Sequence, residues 1–285
     1  MTKALNFKQE LTGVLGYPVA ENPSQVMVES AYRHHGLAWR YLSLEIAPKD
    51  LALAIQGARV MGFRGFNCTM PHKIAVIPYL DALGESAALM GAVNCVVRRG
   101  DQLVGENTDG KGFLYSLRTI IDPRDKKIVI LGAGGAARAI AVELALAGAR
   151  TFVIVNRSEQ RGQDLATLLR QSLKVDAQAV PWCGDYAIPK DADVIINATS
   201  IGLYPDVDAR VPLAIATLRP ELVVADVIPN PPGTRLIRAA LACGCRVVDG
   251  LDMLVNQGVI GINYWTGITP DPRVMRQALE EAFAD

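Results

Sequence analysis

The sequence predicts an α/β protein of two domains, on three observations. Apolar, β-branched runs alternate with helix-like periods along nearly the whole chain. A glycine cluster, Gly132-Ala-Gly-Gly135, stands between one such run and one such period. The chain has 285 residues, more than one typical domain, and half are hydrophobic, enough for two buried cores.

In chain order, runs at 12–16, 40–44, 65–69 and 92–97 read as strands, with helical patterns at 24–35 and 48–61 between them. A helical segment at 109–122 stops at Pro123, and the charged stretch Arg124 to Lys127 leads into a new strand. The division between domains therefore falls near 109–122. Strands follow at 127–131, 151–155, 194–198 and 221–227, separated by helical segments such as 138–147. The patterns at 250–263 and 272–283 read as two closing helices. Alternation of this kind predicts parallel sheets flanked by helices, the doubly wound class. There is no internal repeat and no low-complexity linker.

Lys+Arg and Asp+Glu number 29 each, so no net field draws the chain to nucleic acid or to an anionic membrane surface. The stretch from Ile128 to Ala149 is the most apolar, but Arg138, Glu143 and the glycines interrupt it, which suits a strand and a helix better than a membrane span. The first thirteen residues lack the apolar core and small-residue cleavage site of a signal peptide. Five scattered cysteines (Cys68, Cys95, Cys183, Cys243 and Cys245) and three histidines make no metal-ligand spacing. Reduced, mostly buried thiols in a cytoplasmic protein are expected, with no metal.

The run Lys127-Ile-Val-Ile-Leu131 passes directly into the glycine cluster and then into the helical period from Arg138. Gly132 allows a tight turn, Gly134 lets backbone amides approach a diphosphate, and Ala137 lets the helix lie close to the strand. Those amides and the positive helix end attract the diphosphate of a dinucleotide. This is the Rossmann-type arrangement. The next strand ends in Asn156-Arg157-Ser158-Glu159-Gln160-Arg161, where an NAD-binding unit commonly places an acid. Two guanidinium forks suit a 2′-phosphate, so the reading leans to NADP, with NAD as the alternative that Glu159 keeps open.

Small polar side chains concentrate in the first half. Asn67, Thr69 and Lys73 lie in Gly65-Phe-Asn-Cys-Thr-Met-Pro-His-Lys73; Asn107, Thr108 and Asp109 follow Glu106; and Asn94 stands alone in an apolar stretch. Pro71 suits the first position of a helix, which puts Lys73 in the opening turn, where the helix dipole makes the amine a better base. A facing Asp109 would hold the proton in a coupled pair, able to take a hydroxyl proton and return it. A structural Lys–Asp ion pair with turn-forming asparagines accounts for the same residues.

These segments, with Gly16-Tyr-Pro-Val-Ala20, Gly91-Ala-Val-Asn94, Asn197-Ala-Thr-Ser200, Gly250-Leu-Asp-Met-Leu254 and Gln257, make the chain resemble the shikimate dehydrogenase family from about Gly13 to Phe283. The resemblance implies an N-terminal α/β substrate domain, 1–110 with 250–285, and a Rossmann-type doubly wound dinucleotide-binding domain, 111–249. It implies NADP-linked interconversion of 3-dehydroshikimate and shikimate, of the quinate pair, or of a related cyclic polyol acid, with the substrate between the domains. Lys73 and Asp109 would be catalytic, and Asn67, Thr69, Asn94 and Gln257 would hold ring hydroxyls. The dinucleotide would lie against Gly132, Ala133, Gly134, Gly135, Ala136, Asn156, Arg157, Ser158, Arg161, Thr199 and Val227, with Gly250 and Met253 near the nicotinamide. A small molecule is the expected partner; a homodimer is left open.

The chain departs from the family pattern at the carboxylate end of the substrate. The family usually reads His-Ser-x-Ser-Pro, and its two serines hydrogen-bond the substrate carboxylate; here Glu21-Asn22-Pro23-Ser24-Gln25 puts an amide at one of them and keeps Ser24. The family's Asp-x-x-Tyr is Asp226-Val-Ile-Pro229, without the phenol. Each altered hydrogen bond to a charged group is worth about 1.5–3 kcal/mol. A specialised member with shifted substrate recognition is therefore expected. The competing reading from another class is a catalytically idle dinucleotide and ligand sensor, against which the retained Lys73 and Asp109 speak. A dehydrogenase of unrelated hydroxy acids is a third reading, disfavoured because no arginine lies in the polar segments to clamp a short acid.

Overall fold

The computed structural model describes residues 7–284. They form two compact units. One ends at Thr108 and resumes at Gly258; the other is Asp109–Gln257.

The first unit opens with β1 (Glu10–Gly16), α1 (Ser24–His34), β2 (Trp39–Glu45), α2 (Leu51–Val60) and β3 (Gly65–Cys68). It continues with α3 (His72–Ala75), β4 (Ala82–Leu83), α4 (Glu85–Met90), β5 (Cys95–Arg99) and β6 (Gln102–Glu106). The six strands lie in the order β2-β1-β3-β5-β6-β4. The expected parallel pairing holds for one part of this sheet and not for the other. β2, β1 and β3 are parallel, but β5 runs antiparallel to β3 and β6 folds back on β5 through a tight turn at Gly100, whose φ is +63°. A two-residue connection can only join antiparallel strands. Phe63, Phe66, Ile55, Leu15 and Val96 fill the core beneath α2.

The second unit has α5 (Asp109–Arg118), β7 (Lys127–Leu131), α6 (Gly135–Leu146), β8 (Thr151–Asn156), α7 (Glu159–Leu173) and β9 (Asp176–Pro181). Then come β10 (Val194–Asn197), β11 (Val223–Asp226), α8 (Arg235–Ala242) and β12 (Arg246–Val248). Its sheet is parallel throughout, in the order β12-β11-β10-β7-β8-β9. The order in which strands are added reverses between β7 and β10, the topological switch point at which doubly wound sheets bind ligands. Ile128 and Ile130 face one core with Phe152 and Ile154, while Val129 and Leu131 face the other with Val153 and Val155. Burial of both faces is why these strands read as continuous apolar runs.

The chain closes with α9 (Gly250–Thr266) and α10 (Pro272–Ala284). α10 packs on α1, so the end of the chain returns to the first unit. The compact units divide at 108/109 and 257/258. The first half of α9 stays with the second unit, where Asn256 Nδ2 donates to Ser116 Oγ of α5 at 2.8 Å. Among the described residues no helix is long and apolar enough to cross a membrane, and no group of three or more His, Cys, Asp or Glu could hold a metal. All five cysteines are free.

Candidate active site

In the second unit, β7 delivers the chain into Gly132, whose φ of +106° is a left-handed conformation that glycine adopts without strain. A side chain there would also press on Ala198 O, at 3.0 Å, in the loop after β10. Ala133 follows, and Gly134 then caps α6 in an extended conformation, so the free amides of Gly135 and Ala136 open a helix of twelve residues. A Cβ on Gly134 or Gly135 would meet nothing within 4 Å. Open space in front of helix-end amides fits a diphosphate.

β8 ends at Asn156, whose Nδ2 donates to Ser158 O at 2.8 Å and so shapes the turn carrying Arg157. Ser158 caps α7, its hydroxyl accepting from Arg161 N. Arg157 and Arg161 are both exposed, and neither has an ion-pair partner among the described residues. Two uncommitted guanidinium groups at the end of β8, with no acid on that strand, fit an added phosphate on the ribose.

At the ends of β10 and β11 a buried network fixes the neighbouring loops. Asn197 Nδ2 donates to Asp226 Oδ1 at 3.0 Å, Thr199 Oγ1 donates to Asn197 Oδ1 at 2.7 Å, and Thr234 Oγ1 donates to Asp226 Oδ2 at 2.8 Å. Burial pushes the Asp226 carboxyl up to about 6, outweighing these donors. Val227 follows Asp226, and the Val227–Ile228 backbone lies so close to Gly250 that no side chain would fit. Thr199, Val227, Gly250 and Met253 are thus carried on the switch-point loops and the first turn of α9.

In the first unit, β3 ends in Asn67 and Cys68, and Thr69 N then donates to Leu15 O at 2.9 Å. Pro71 precedes α3 instead of occupying its first position, and α3 is only four residues long. Few peptide dipoles therefore align behind Lys73, and the expected dipole effect is small. Lys73 is held from both sides. The buried His72 ring meets Ile46 O through Nε2 at 2.8 Å, and Val93 N donates to Lys73 O at 2.7 Å. The nearby Lys73 charge acts on Cys68, whose thiol burial nonetheless pushes up to about 12.

Val93 leads to Asn94. Its Nδ2 donates to Thr108 Oγ1 at 3.0 Å and its Oδ1 accepts from Thr108 N at 2.6 Å, which fixes the residue just before Asp109. Asn67 Nδ2 donates to Asn94 O at 2.9 Å, and Tyr41 Oη donates to Asn67 Oδ1 at 2.7 Å. Asn22 Oδ1 accepts from Ser24 N at 3.0 Å and is thereby turned back into its own loop. In the first unit Asn67 and Asn94 are thus joined by buried hydrogen bonds, with Tyr41 on Asn67, while half-buried Lys73 is tied to the same stretch through its carbonyl and Val93 N. Asp109 and Gln257 belong to the other unit: Asp109 opens α5, and Gln257 lies in α9 with Nε2 donating to Leu254 O at 3.0 Å. Thr108 stood in the polar segment of the sequence without an assigned role, and Tyr41 was not singled out, although it occupies an inward position of an alternating strand.

A switch-point glycine turn, helix-end amides and paired arginines on a parallel sheet, with a lysine-bearing polar cluster in a second α/β unit, define a dinucleotide-linked oxidoreductase. The Shikimate dehydrogenase substrate binding domain family matches residues 14–96, Shikimate / quinate 5-dehydrogenase matches 117–220, and the Shikimate 5'-dehydrogenase C-terminal domain matches 250–280. A shikimate dehydrogenase (NADP(+)) of Moorella thermoacetica is 43% identical over 96% of this chain and 93% of its own length. The ligand-free 5-ketofructose reductase of Gluconobacter sp. strain CHM43 has the same fold, with a TM-score of 0.96 at 51% identity, over 98% of this chain and 100% of that one. A shikimate dehydrogenase in complex with NADP+ superposes with a TM-score of 0.90 at 36% identity, covering 99% and 98% of the two chains. The chain belongs to the shikimate dehydrogenase family, and it is an NADP-dependent oxidoreductase acting on a CH–OH group.

Proposed function

We propose that this enzyme interconverts a ketone and a secondary alcohol on a small polyhydroxylated substrate, and that it prefers a neutral sugar ketone of the 5-ketofructose kind to the carboxylic acid 3-dehydroshikimate. The observation that carries this reading is at the carboxylate end. Asn22 replaces one serine hydroxyl, and its Oδ1 accepts from Ser24 N, which turns the amide back into its own loop. A carboxylate placed there would lose one of the two hydroxyl donors the family supplies, which costs more than an uncharged hydroxyl would lose. The 51% identity with 5-ketofructose reductase over nearly the whole of both chains supports the same choice. The shikimate pair is the second reading, favoured by curated relatives of 38–43% identity named for it and by the retained Asn67, Thr69, Lys73, Asn94, Asp109 and Gln257.

In this reading 109–257 is the dinucleotide unit and the other is the substrate unit. The helix-end amides of Gly135 and Ala136 hold the diphosphate, Arg157 and Arg161 the 2′-phosphate, and Gly250 and Met253 flank the nicotinamide. Bound there, NADPH supplies the hydride. Lys73, with Asp109 as its coupled partner, delivers a proton to the carbonyl oxygen as it becomes the alcohol and takes that proton back in oxidation. Asn67, Thr69, Asn94 and Gln257 orient the hydroxyls. The setting is the cytoplasm, consistent with five free thiols.

The test is a matrix of kcat/KM for 5-ketofructose, 3-dehydroshikimate and 3-dehydroquinate with NADPH and NADH. We expect the highest value for 5-ketofructose with NADPH. Faster turnover of 3-dehydroshikimate would overturn the substrate choice in favour of the second reading.

A further inference from the structure

The loop that carries Thr69 and Lys73 is held by a closed circuit of hydrogen bonds, and one link in it is a side chain. Thr69 N donates to Leu15 O at 2.9 Å, and Thr69 O accepts from His72 N at 2.8 Å. The His72 ring reaches Ile46 O through Nε2 at 2.8 Å, and Ile46 N returns to Gly16 O at 2.9 Å. Gly16 follows Leu15 in β1, so the circuit closes. Every other link joins a backbone amide to a backbone carbonyl. A carbonyl oxygen can only accept, so Nε2 of the imidazole carries the hydrogen. The ring is fully buried, and Nδ1 has no hydrogen-bond partner among the described residues, so the ring's orientation hangs on this one bond. The helix cannot stand in for it. α3 is a single turn of four residues, and one turn fixes several dihedrals for very few hydrogen bonds. Val93 N holds Lys73 O at 2.7 Å from the other side, but a backbone gripped at one point can still turn about it.

We propose that His72 is a positioning residue for the reaction: its bond to Ile46 O ties α3 to the end of β2 and so sets where the Lys73 backbone, and with it the Lys73 amine, stands. This rests on the reading that Lys73 transfers the proton, and it adds the side chain that keeps the lysine in place. Fully enclosed, the imidazole meets no substrate and acts only through its neighbour. Proton transfer demands a donor and acceptor at hydrogen-bond distance, and a displacement of about 1 Å costs on the order of 10²-fold in rate. Dinucleotide binding falls to residues of the other unit and should not sense the change.

The experiment measures kcat, KM and the Kd for NADPH in His72→Phe and His72→Gln, with whichever of 5-ketofructose and 3-dehydroshikimate the unchanged enzyme turns over faster. Phenylalanine keeps a ring and removes the donor; the glutamine amide returns an N–H near the position of Nε2. In His72→Phe kcat should fall about 10- to 100-fold, with KM within about threefold and the NADPH Kd within about twofold. His72→Gln should recover kcat to within about threefold of the unchanged enzyme. A kcat unchanged in His72→Phe, or lost equally in both variants, overturns the role given to His72. Lys73→Ala is the control that separates the two readings: full turnover there removes the catalytic lysine, and the proposal with it. Should His72→Phe not fold, nitrogen NMR of the imidazole in the unchanged enzyme decides. The hydrogen should reside on Nε2; a hydrogen on Nδ1 overturns the proposal.

Discussion

Asp226 Oδ2 accepts a 2.8 Å hydrogen bond from the Thr234 hydroxyl, which also caps α8 by accepting from Ile237 N at 3.2 Å. One buried carboxylate therefore ties the end of β11 to the start of the next helix, and through Asn197 to the loop after β10. Its burial outweighs its donors, and that has a consequence for stability.

The Asp226 carboxyl titrates near 6 in the folded chain against an ordinary 3.8, so the folded state holds the proton more tightly. A raised acid gives stability that is fully present below about 4 and is lost as pH rises to about 6, here about 3 kcal/mol in all. Urea unfolding of the unchanged protein and of Asp226→Asn at pH 4, 5, 6 and 7 checks this. The stability of the unchanged protein relative to the variant should fall across that window; a difference that does not move with pH sinks the prediction.

Gly132 has φ of +106° and would place a Cβ 3.0 Å from Ala198 O and 3.1 Å from Thr199 Cγ2. Gly132→Ala should cost about 1–3 kcal/mol of stability and should weaken NADPH binding at least tenfold, measured by fluorescence titration. Unchanged affinity would remove the glycine turn from the cofactor site.

Arg157 is exposed at the end of β8 without an ion-pair partner among the described residues. Arg157→Ala should raise KM for NADPH about tenfold and leave KM for NADH within about twofold. Equal effects on both cofactors would mean that this guanidinium does not read the 2′-phosphate.

Lys73→Ala should lower kcat by roughly 10²–10⁴-fold while the Kd for NADPH stays within about twofold. Loss of dinucleotide binding in step with turnover would point to a structural lysine.

The interior of the second unit was legible in the sequence because both faces of β7, β8, β10 and β11 are buried, leaving runs without polar interruption. The edge strands β9 and β12 were not, since Asp176-Ala-Gln-Ala-Val-Pro181 and Arg246-Val-Val248 mix exposed and buried positions at the rim. The hairpin of β5 and β6 was half seen. Its turn holds a single glycine between polar residues, so the apolar strand before it stood out and Gln102–Glu106 did not. In the polar cluster, Asn67, Lys73 and Asn94 stood out as polar groups in apolar surroundings. Tyr41 did not, because an aromatic in a strand is ordinary core until the partners of its hydroxyl are known. Nor could spacing reveal that α3 stops after four residues.

The two-sided burial of β7 also governs which insertions and deletions this sheet withstands. A chain short of one residue within Lys127–Leu131 would still supply aliphatic side chains to both cores, because either frame of the run is apolar. It would nevertheless reach the bend one step early, forcing Ala133 into the left-handed conformation that Gly132 occupies. Length variation in this strand is therefore penalised at its mouth, where the dinucleotide would sit, while the packed middle is indifferent to it.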